Sequence, residues 1–205
     1  AVAMGVAFTL TWLFGTNNEH IRNENKPSEN KTEKAEQPAQ AMETKAENAD
    51  VADDGIITAP LSGKAVKLEN VPDQTFAQGI LGLGAAIEPT EGKVVAPDDG
   101  KVETLFDTFH AIGLTLDNGK ELLIHVGINT VELKGEGFKA YVSEGDRVTK
   151  GQTLITFDMD FIKSKGYQTI TPVLVGNSDE FASVEELAEE GTQVTIGDKL
   201  IKVNA

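Results

Sequence analysis

Nitrogen nucleophiles near neutral pH are scarce in this sequence: 205 residues contain three histidines, and there is no cysteine. His125 lies in Leu122-Leu123-Ile124-His125-Val126-Gly127-Ile128, and His110 in Phe106-Asp107-Thr108-Phe109-His110-Ala111-Ile112-Gly113-Leu114, both rich in strand formers. His20, beside Glu19 and Arg22, reads as an incidental surface residue. A lone strand histidine is more often a hydrogen-bonded structural residue than a nucleophile. Two features weigh the other way at His125. Its neighbours Ile124 and Val126 would normally fill a core, and Gly127 directly after it removes a side chain, as a site admitting a bulky group requires.

Three chemistries are open to such a pair. Two imidazoles can bind zinc, but a catalytic zinc needs a third protein ligand, and no His-x-His or His-x-x-x-Asp spacing accompanies them. A swinging-arm carrier is suggested by the runs Gly92-Lys93-Val94-Val95-Ala96-Pro97 and Gly145-Asp146-Arg147-Val148, which resemble those of biotinyl and lipoyl domains. It also needs a lysine at a hairpin tip flanked by Met or Asp and Ala, and no such tripeptide lies between Gly100 and Gly145. The third is covalent phosphoryl transfer through one imidazole, with the other as a polar neighbour.

The elements that must position these rings are short. From Gly55 onward, apolar runs alternate with Gly, Pro, Asp and Asn, which predicts strands over 56–58, 63–68, 85–87, 92–96, 100–105, 111–116, 121–128, 138–142, 153–157, 169–175, 193–196 and 199–203. Asp117-Asn118-Gly119-Lys120 predicts a hairpin turn with positive φ at Asn118 and Gly119. Helix is expected only as single turns over 76–80 and 159–164, and as a short surface helix over 183–190 capped by Ser183. This is the pattern of an all-β protein, an antiparallel sandwich. Two echoes point to two similar halves. Ala59-Pro60-x-x-Gly63-Lys64-x-x-x-Leu68 recurs as Ala96-Pro97-x-x-Gly100-Lys101-x-x-x-Leu105. Gly145-x-x-Val148-Thr149-x-Gly151-x-x-Leu154-Ile155 recurs as Gly191-x-x-Val194-Thr195-x-Gly197-x-x-Leu200-Ile201.

The net charge of −15 argues against a nucleic-acid surface. Residues 16–54 hold ten acids and five bases and residues 1–15 no charge, so two thirds of the negative charge belongs to 55–205. The lack of cysteine fits a reducing compartment. Residues 1–15, AVAMGVAFTLTWLFG, are apolar but shorter than a bilayer span of ~20 residues. They read as the end of a transmembrane helix of a truncated membrane domain, with Trp12 near the interface. Residues 16–54 lack aromatics and any apolar period, and read as a disordered charged linker. Residues 55–205 are the globular domain.

The run Leu123-Ile124-His125-Val126-Gly127-Ile128-x-Thr130-Val131-x-Leu133-x-Gly135-x-Gly137-Phe138 resembles the phosphorylation-site signature of glucose-type enzyme IIA of the phosphoenolpyruvate-dependent sugar phosphotransferase system. The resemblance continues through Ala59-Pro60-Leu61-Ser62-Gly63, Val71-Pro72-Asp73, Phe76-Ala77, Val95-Ala96-Pro97, Thr108-x-His110-Ala111 and Thr169-x-Thr171-Pro172-Val173, and covers about 56 to 203. The apolar start and charged linker resemble the end of a fused permease of the β-glucoside or sucrose type.

The resemblance implies a phosphotransferase in which His125 accepts a phosphoryl group from the phosphohistidine of a small phosphocarrier protein and passes it to a cysteine of enzyme IIB, driving sugar uptake by an enzyme IIC permease. His110 would hold the phosphoryl oxygens and Thr108 would orient His110. Phe76, Ile80, Leu81, Phe106, Val126 and Val131 would form an apolar docking face for the partner proteins. No cofactor is implied, since the intermediate is a phosphohistidine; adventitious zinc on His110 and His125 is the only metal chemistry expected. The implied location is the cytoplasmic side of a plasma or inner membrane. One departure stands out: Asn129 occupies a position where many members carry Asp, which removes a charge near the site.

Overall fold

The computed structural model describes residues 54–205; the expectations for 1–15 and for the linker up to residue 53 lie outside the described residues. The fold is antiparallel throughout. Eight strands form the main sheet: β2 (Gly63–Lys67), β3 (Leu83–Pro89), β5 (Gly100–Leu105), β6 (Ala111–Leu116), β7 (Glu121–His125), β9 (Arg147–Val148), β11 (Thr171–Val175) and β13 (Gln193–Val194). Their order is β13-β2-β3-β11-β7-β6-β5-β9. Two three-stranded sheets accompany it. One is β1 (Ile56–Thr58), β14 (Lys199–Asn204) and β12 (Ser183–Glu186); the other is β4 (Lys93–Val95), β10 (Thr153–Phe157) and β8 (Phe138–Ala140).

Strand alternation divides the main sheet between two cores. Leu122 and Ile124 of β7, Val173 and Val175 of β11, and Ala85 and Ile87 of β3 pack with Ile57, Leu154, Ile155, Leu200 and Ile201 of the small sheets. The opposite face carries Ala86, Leu123 and Leu174, covered by Leu68, Val71, Phe76, Ile128 and Ile170. His125 shares the parity of Leu123, so it belongs to this second, smaller face.

The sequence echoes mark an internal two-fold relationship. Ala59 exchanges backbone hydrogen bonds with Gly197 and Asp198, as Ala96 does with Gly151 and Gln152. Ala65 does the same with Gly191 and Thr192, as Val102 does with Gly145 and Asp146. The ladder Ile201↔Glu186, Lys202↔Glu185 and Val203↔Val184 repeats Ile155↔Ala140, Thr156↔Lys139 and Phe157↔Phe138. At the centre of the main sheet Val173 pairs with Ile124, each held on its other side by the matching strand, at Ala85 and Ile112.

Several local expectations are corrected. The segment expected as a helix over 183–190 begins instead as β12, whose backbone groups pair with β14, and Leu187 N–H continues the ladder to Leu200 O. The Ser183 hydroxyl is taken by the Asn204 side chain, so it caps nothing. Sheet pairing has overridden the helical preference of the glutamates there. The helical turn near 76–80 is α1 (Gln74–Ala77), capped by Asp73, whose carboxylate accepts from Thr75 N–H at 2.8 Å. The turn over 159–164 is α2 (Met159–Ser164), capped by Asp158. In the β6–β7 hairpin only Gly119 has positive φ, not Asn118. β7 stops at His125, short of Ile128, and the two-residue strand β9 was not anticipated.

Candidate functional site

His125 is the last residue of β7, and its backbone pairs with Ala111, the first of β6. Val126 N–H extends the ladder one step to the His110 carbonyl at 2.7 Å. The two imidazoles are thus brought together by adjacent strands at one end of the main sheet. Their ring centroids lie 4.8 Å apart at an interplanar angle of 83°. His110 precedes β6 rather than lying within it.

The chain leaves β7 through Gly127, at φ +75°. This turn brings the Gly127 carbonyl back onto the ring two residues earlier, 2.8 Å from His125 Nδ1. A carbonyl oxygen only accepts, so Nδ1 carries the proton and Nε2 of the neutral ring has the free electron pair. The reason for glycine is not the one expected. A Cβ here would stand 2.5 Å from Thr130 Cγ2 and 2.6 Å from the Gln168 carbonyl. The space is filled by the protein itself and leaves no room for an incoming group. Asn129 follows at φ 59°, a conformation asparagine adopts readily, and opens the 3-10 turn Thr130–Leu133.

His110 is set by the tight loop before β6, in which Phe106 N–H bonds to Ala111 O and Phe109 N–H to Phe106 O. Phe109 sits at φ 54°, a left-handed strain for a bulky residue of order 1–3 kcal/mol. Thr108 Oγ1 is 2.5 Å from His110 Nδ1. When the hydroxyl donates in this bond, His110 Nε2–H is left as a donor. Phe106 packs on His110 with centroids 5.4 Å apart, and Phe76 packs on His125 at 5.0 Å.

Electrostatics keeps both rings uncharged. Burial, with His125 as a second cause, pushes His110 down from its ordinary value to about 4. Burial also pushes His125 down, opposed by its bond to Gly127 O and by the Asp73 carboxylate. At neutral pH the pair is two uncharged imidazoles, His125 with a free electron pair on Nε2. Among the described residues no group of three or more His, Cys, Asp or Glu side chains is arranged to hold a metal.

The expected docking residues separate. Ile80, Leu81 and Val131 are exposed (65%, 40% and 45%), on the segment after α1 and on the turn after His125. Phe106 is half-buried. Val126 is fully buried, facing the larger core, and cannot form part of a surface. Phe76 is 6% exposed and serves mainly as a wall for His125. Leu83, 46% exposed at the start of β3, is a further large apolar side chain on the surface that the sequence reading did not single out. Its only sequence signal was an apolar residue between Gly82 and Gly84. Thr130 was also passed over as a site residue, although it lies within the signature run.

Residues 55–181 match the family model described as phosphoenolpyruvate-dependent sugar phosphotransferase system, EIIA 1. The chain is 49% identical over 138 residues to the PTS system glucose-specific EIIA component of Halalkalibacterium halodurans, covering 67% of this chain and 80% of the relative. It is 48% identical over 135 residues to the component of the same name from Staphylococcus aureus, covering 66% and 81%. The solved glucose permease IIA from Mycoplasma capricolum superposes with a TM-score of 0.65 at 33% identity, covering 71% of this chain and 93% of that structure.

Proposed function

The chain belongs to the EIIA 1 family of the phosphoenolpyruvate-dependent sugar phosphotransferase system, phosphotransferases that relay phosphoryl groups in sugar uptake, and we propose that His125 Nε2 is the atom that carries the phosphoryl group here. The observation that carries this reading is the bond from His125 Nδ1–H to the Gly127 carbonyl, which leaves one ring nitrogen nucleophilic. In the proposed step Nε2 attacks phosphorus on the phosphohistidine of a small carrier protein. The new N–P bond forms as the carrier's N–P bond breaks, and that electron pair returns to the carrier imidazole. The proton on Nδ1 stays in place against Gly127 O, where the carbonyl dipole stabilises the positive charge the ring acquires. Phosphoryl transfer of this kind depends on in-line positioning and on stabilising charge over the equatorial oxygens. His110, oriented by Thr108, supplies the donor that meets those oxygens.

In the second half of the relay a cysteine thiolate of an enzyme IIB takes the group, and His125 regains its free pair. Ile80, Leu81, Leu83 and Val131 form the greasy face on which both partners seat, excluding water from the labile N–P bond. The acidic character of the domain suits a basic carrier. We further propose that residues 55–205 are the relay module, that 16–54 tether it, and that 1–15 are the end of a membrane segment of a fused enzyme IIC permease. The relay then works at the cytoplasmic face of the membrane. Among the described residues no helix is long and apolar enough to cross a bilayer.

Incubation with phosphoenolpyruvate, enzyme I and the phosphocarrier should add one acid-labile, alkali-stable phosphate. His125→Gln should abolish it, whereas His110→Gln should retain acceptance and impair onward transfer. Full labelling of the His125→Gln protein would overturn the assignment.

A further inference from the structure

We infer that Thr130 is a positioning residue for the acceptor imidazole, a role that rests on His125 being the acceptor. Thr130 is completely buried, and its hydroxyl donates to the Val126 carbonyl at 2.5 Å. Its methyl group, Cγ2, stands where a side chain on Gly127 would have to go. One side chain therefore grips both ends of the Val126–Gly127 linkage, the hydroxyl on the carbonyl before it and the methyl on the α-carbon after it.

The grip matters because of what that linkage sets. Val126 N–H is fixed to the His110 carbonyl, and Ile128 N–H to the Gln168 carbonyl at 3.1 Å. Between these two anchors lies a glycine, the residue whose φ and ψ are least restricted. The Gly127 carbonyl lies in the following peptide, anchored through Ile128 N–H, so its direction toward His125 Nδ1 is set jointly by that anchor and, across the glycine, by the peptide that Thr130 holds. Without the hydroxyl the Val126 carbonyl is buried and unsatisfied, and the peptide gains by rotating toward any other donor. The Gly127 carbonyl, left with the Ile128 anchor alone, then loosens on Nδ1 and the tautomer preference of the imidazole weakens. Thr130 touches neither ring as a hydrogen-bond partner, so it selects the nucleophilic nitrogen at one remove.

The test compares Thr130→Val, which keeps the shape and deletes the hydroxyl, with Thr130→Ser, which keeps the hydroxyl. Nitrogen-15 NMR of the unphosphorylated protein reads the tautomer of His125 directly. The wild type should show protonated Nδ1 and bare Nε2. Thr130→Val should shift that ratio by about fivefold, the worth of one ordinary hydrogen bond. It should also place a detectable share of the phosphate on Nδ1, and Thr130→Ser should restore both. A Thr130→Val protein with the wild-type tautomer and phosphate only on Nε2 would overturn the inference. Should Thr130→Val not fold, the wild type decides. The Thr130 hydroxyl proton must be protected from exchange and show an Overhauser contact to the Val126–Gly127 linkage; free exchange sinks the idea. The tautomer measurement needs no phosphate, so it can fail while the His125→Gln labelling result stands, and the reverse.

Discussion

The ring of Phe76 lies 5.0 Å from that of His125, tilted by 58°, with only 6% of Phe76 left in contact with solvent. Phe76 also belongs to the small core beneath the site, with Leu68, Val71 and Leu174. One side chain therefore ties the stability of that face to the orientation of the imidazole. Phe76→Ala should cost about 3–5 kcal/mol in urea unfolding. It should also slow phosphoryl acceptance in the carrier assay, while Phe76→Leu recovers most of the stability and less of the rate. Equal recovery of both would show that the ring itself contributes nothing beyond volume.

The neutral histidine pair gives the fold an acid-side liability. An unfolded chain protonates His110 near 6.5, the folded one only at about 4. Between those values the unfolded state binds more protons, so stability rises with pH across that window. The contribution is complete above 6.5 and is lost as the pH falls toward 4, with an upper bound of about 3 kcal/mol. Denaturation midpoints against pH should show this slope, and His110→Gln should flatten it. An unchanged slope would mean that His125 or the carboxylates, not His110, govern the acid side.

Thr108 and His110 form the other oriented pair, at 2.5 Å. Thr108→Val keeps the bulk and removes the hydroxyl. Onward transfer to enzyme IIB should fall by about tenfold, the upper range for one hydrogen bond, with little change in melting temperature. Single-turnover transfer from the phosphorylated domain measures it. Restoration by Thr108→Ser separates orientation from packing.

Asn129 at φ 59° is in a conformation that aspartate also tolerates. Asn129→Asp should leave stability within about 0.5 kcal/mol. The added charge should speed phosphorylation by a basic carrier at low salt, and the gain should vanish at high salt. A rate indifferent to salt would show that position 129 lies outside the carrier's field.

Much of this was open to inspection in the residues themselves. The strands could be read because their apolar runs are bounded by glycine, proline and aspartate, and the histidines because nothing else in the chain competes with them. Residues 183–186 escaped because Ser183, Val184 and the glutamates suit a helix locally, and only the neighbouring β14 makes them a strand. Val126 and Phe76 were placed on the docking face from the resemblance; Val126 instead shares the inward parity of Leu122 and Ile124, and Phe76 turns from α1 into the smaller core. Gly127 was anticipated for the wrong reason, since its confinement comes from Thr130 and Gln168, the latter remote along the chain.

The two-fold relationship of the domain carries a further implication. Val173-Leu174-Val175-Gly176 occupies, where β11 ends, the place that Ile124-His125-Val126-Gly127 occupies where β7 ends, and each run leads into a 3-10 turn. The counterpart of His125 is Leu174, wholly enclosed, and that of His110 is Leu83. The architecture is doubled but the reactive chemistry is not. One blueprint, used twice, carries the histidine pair in one copy and serves as ballast in the other, so on the proposed relay each domain takes a single phosphate.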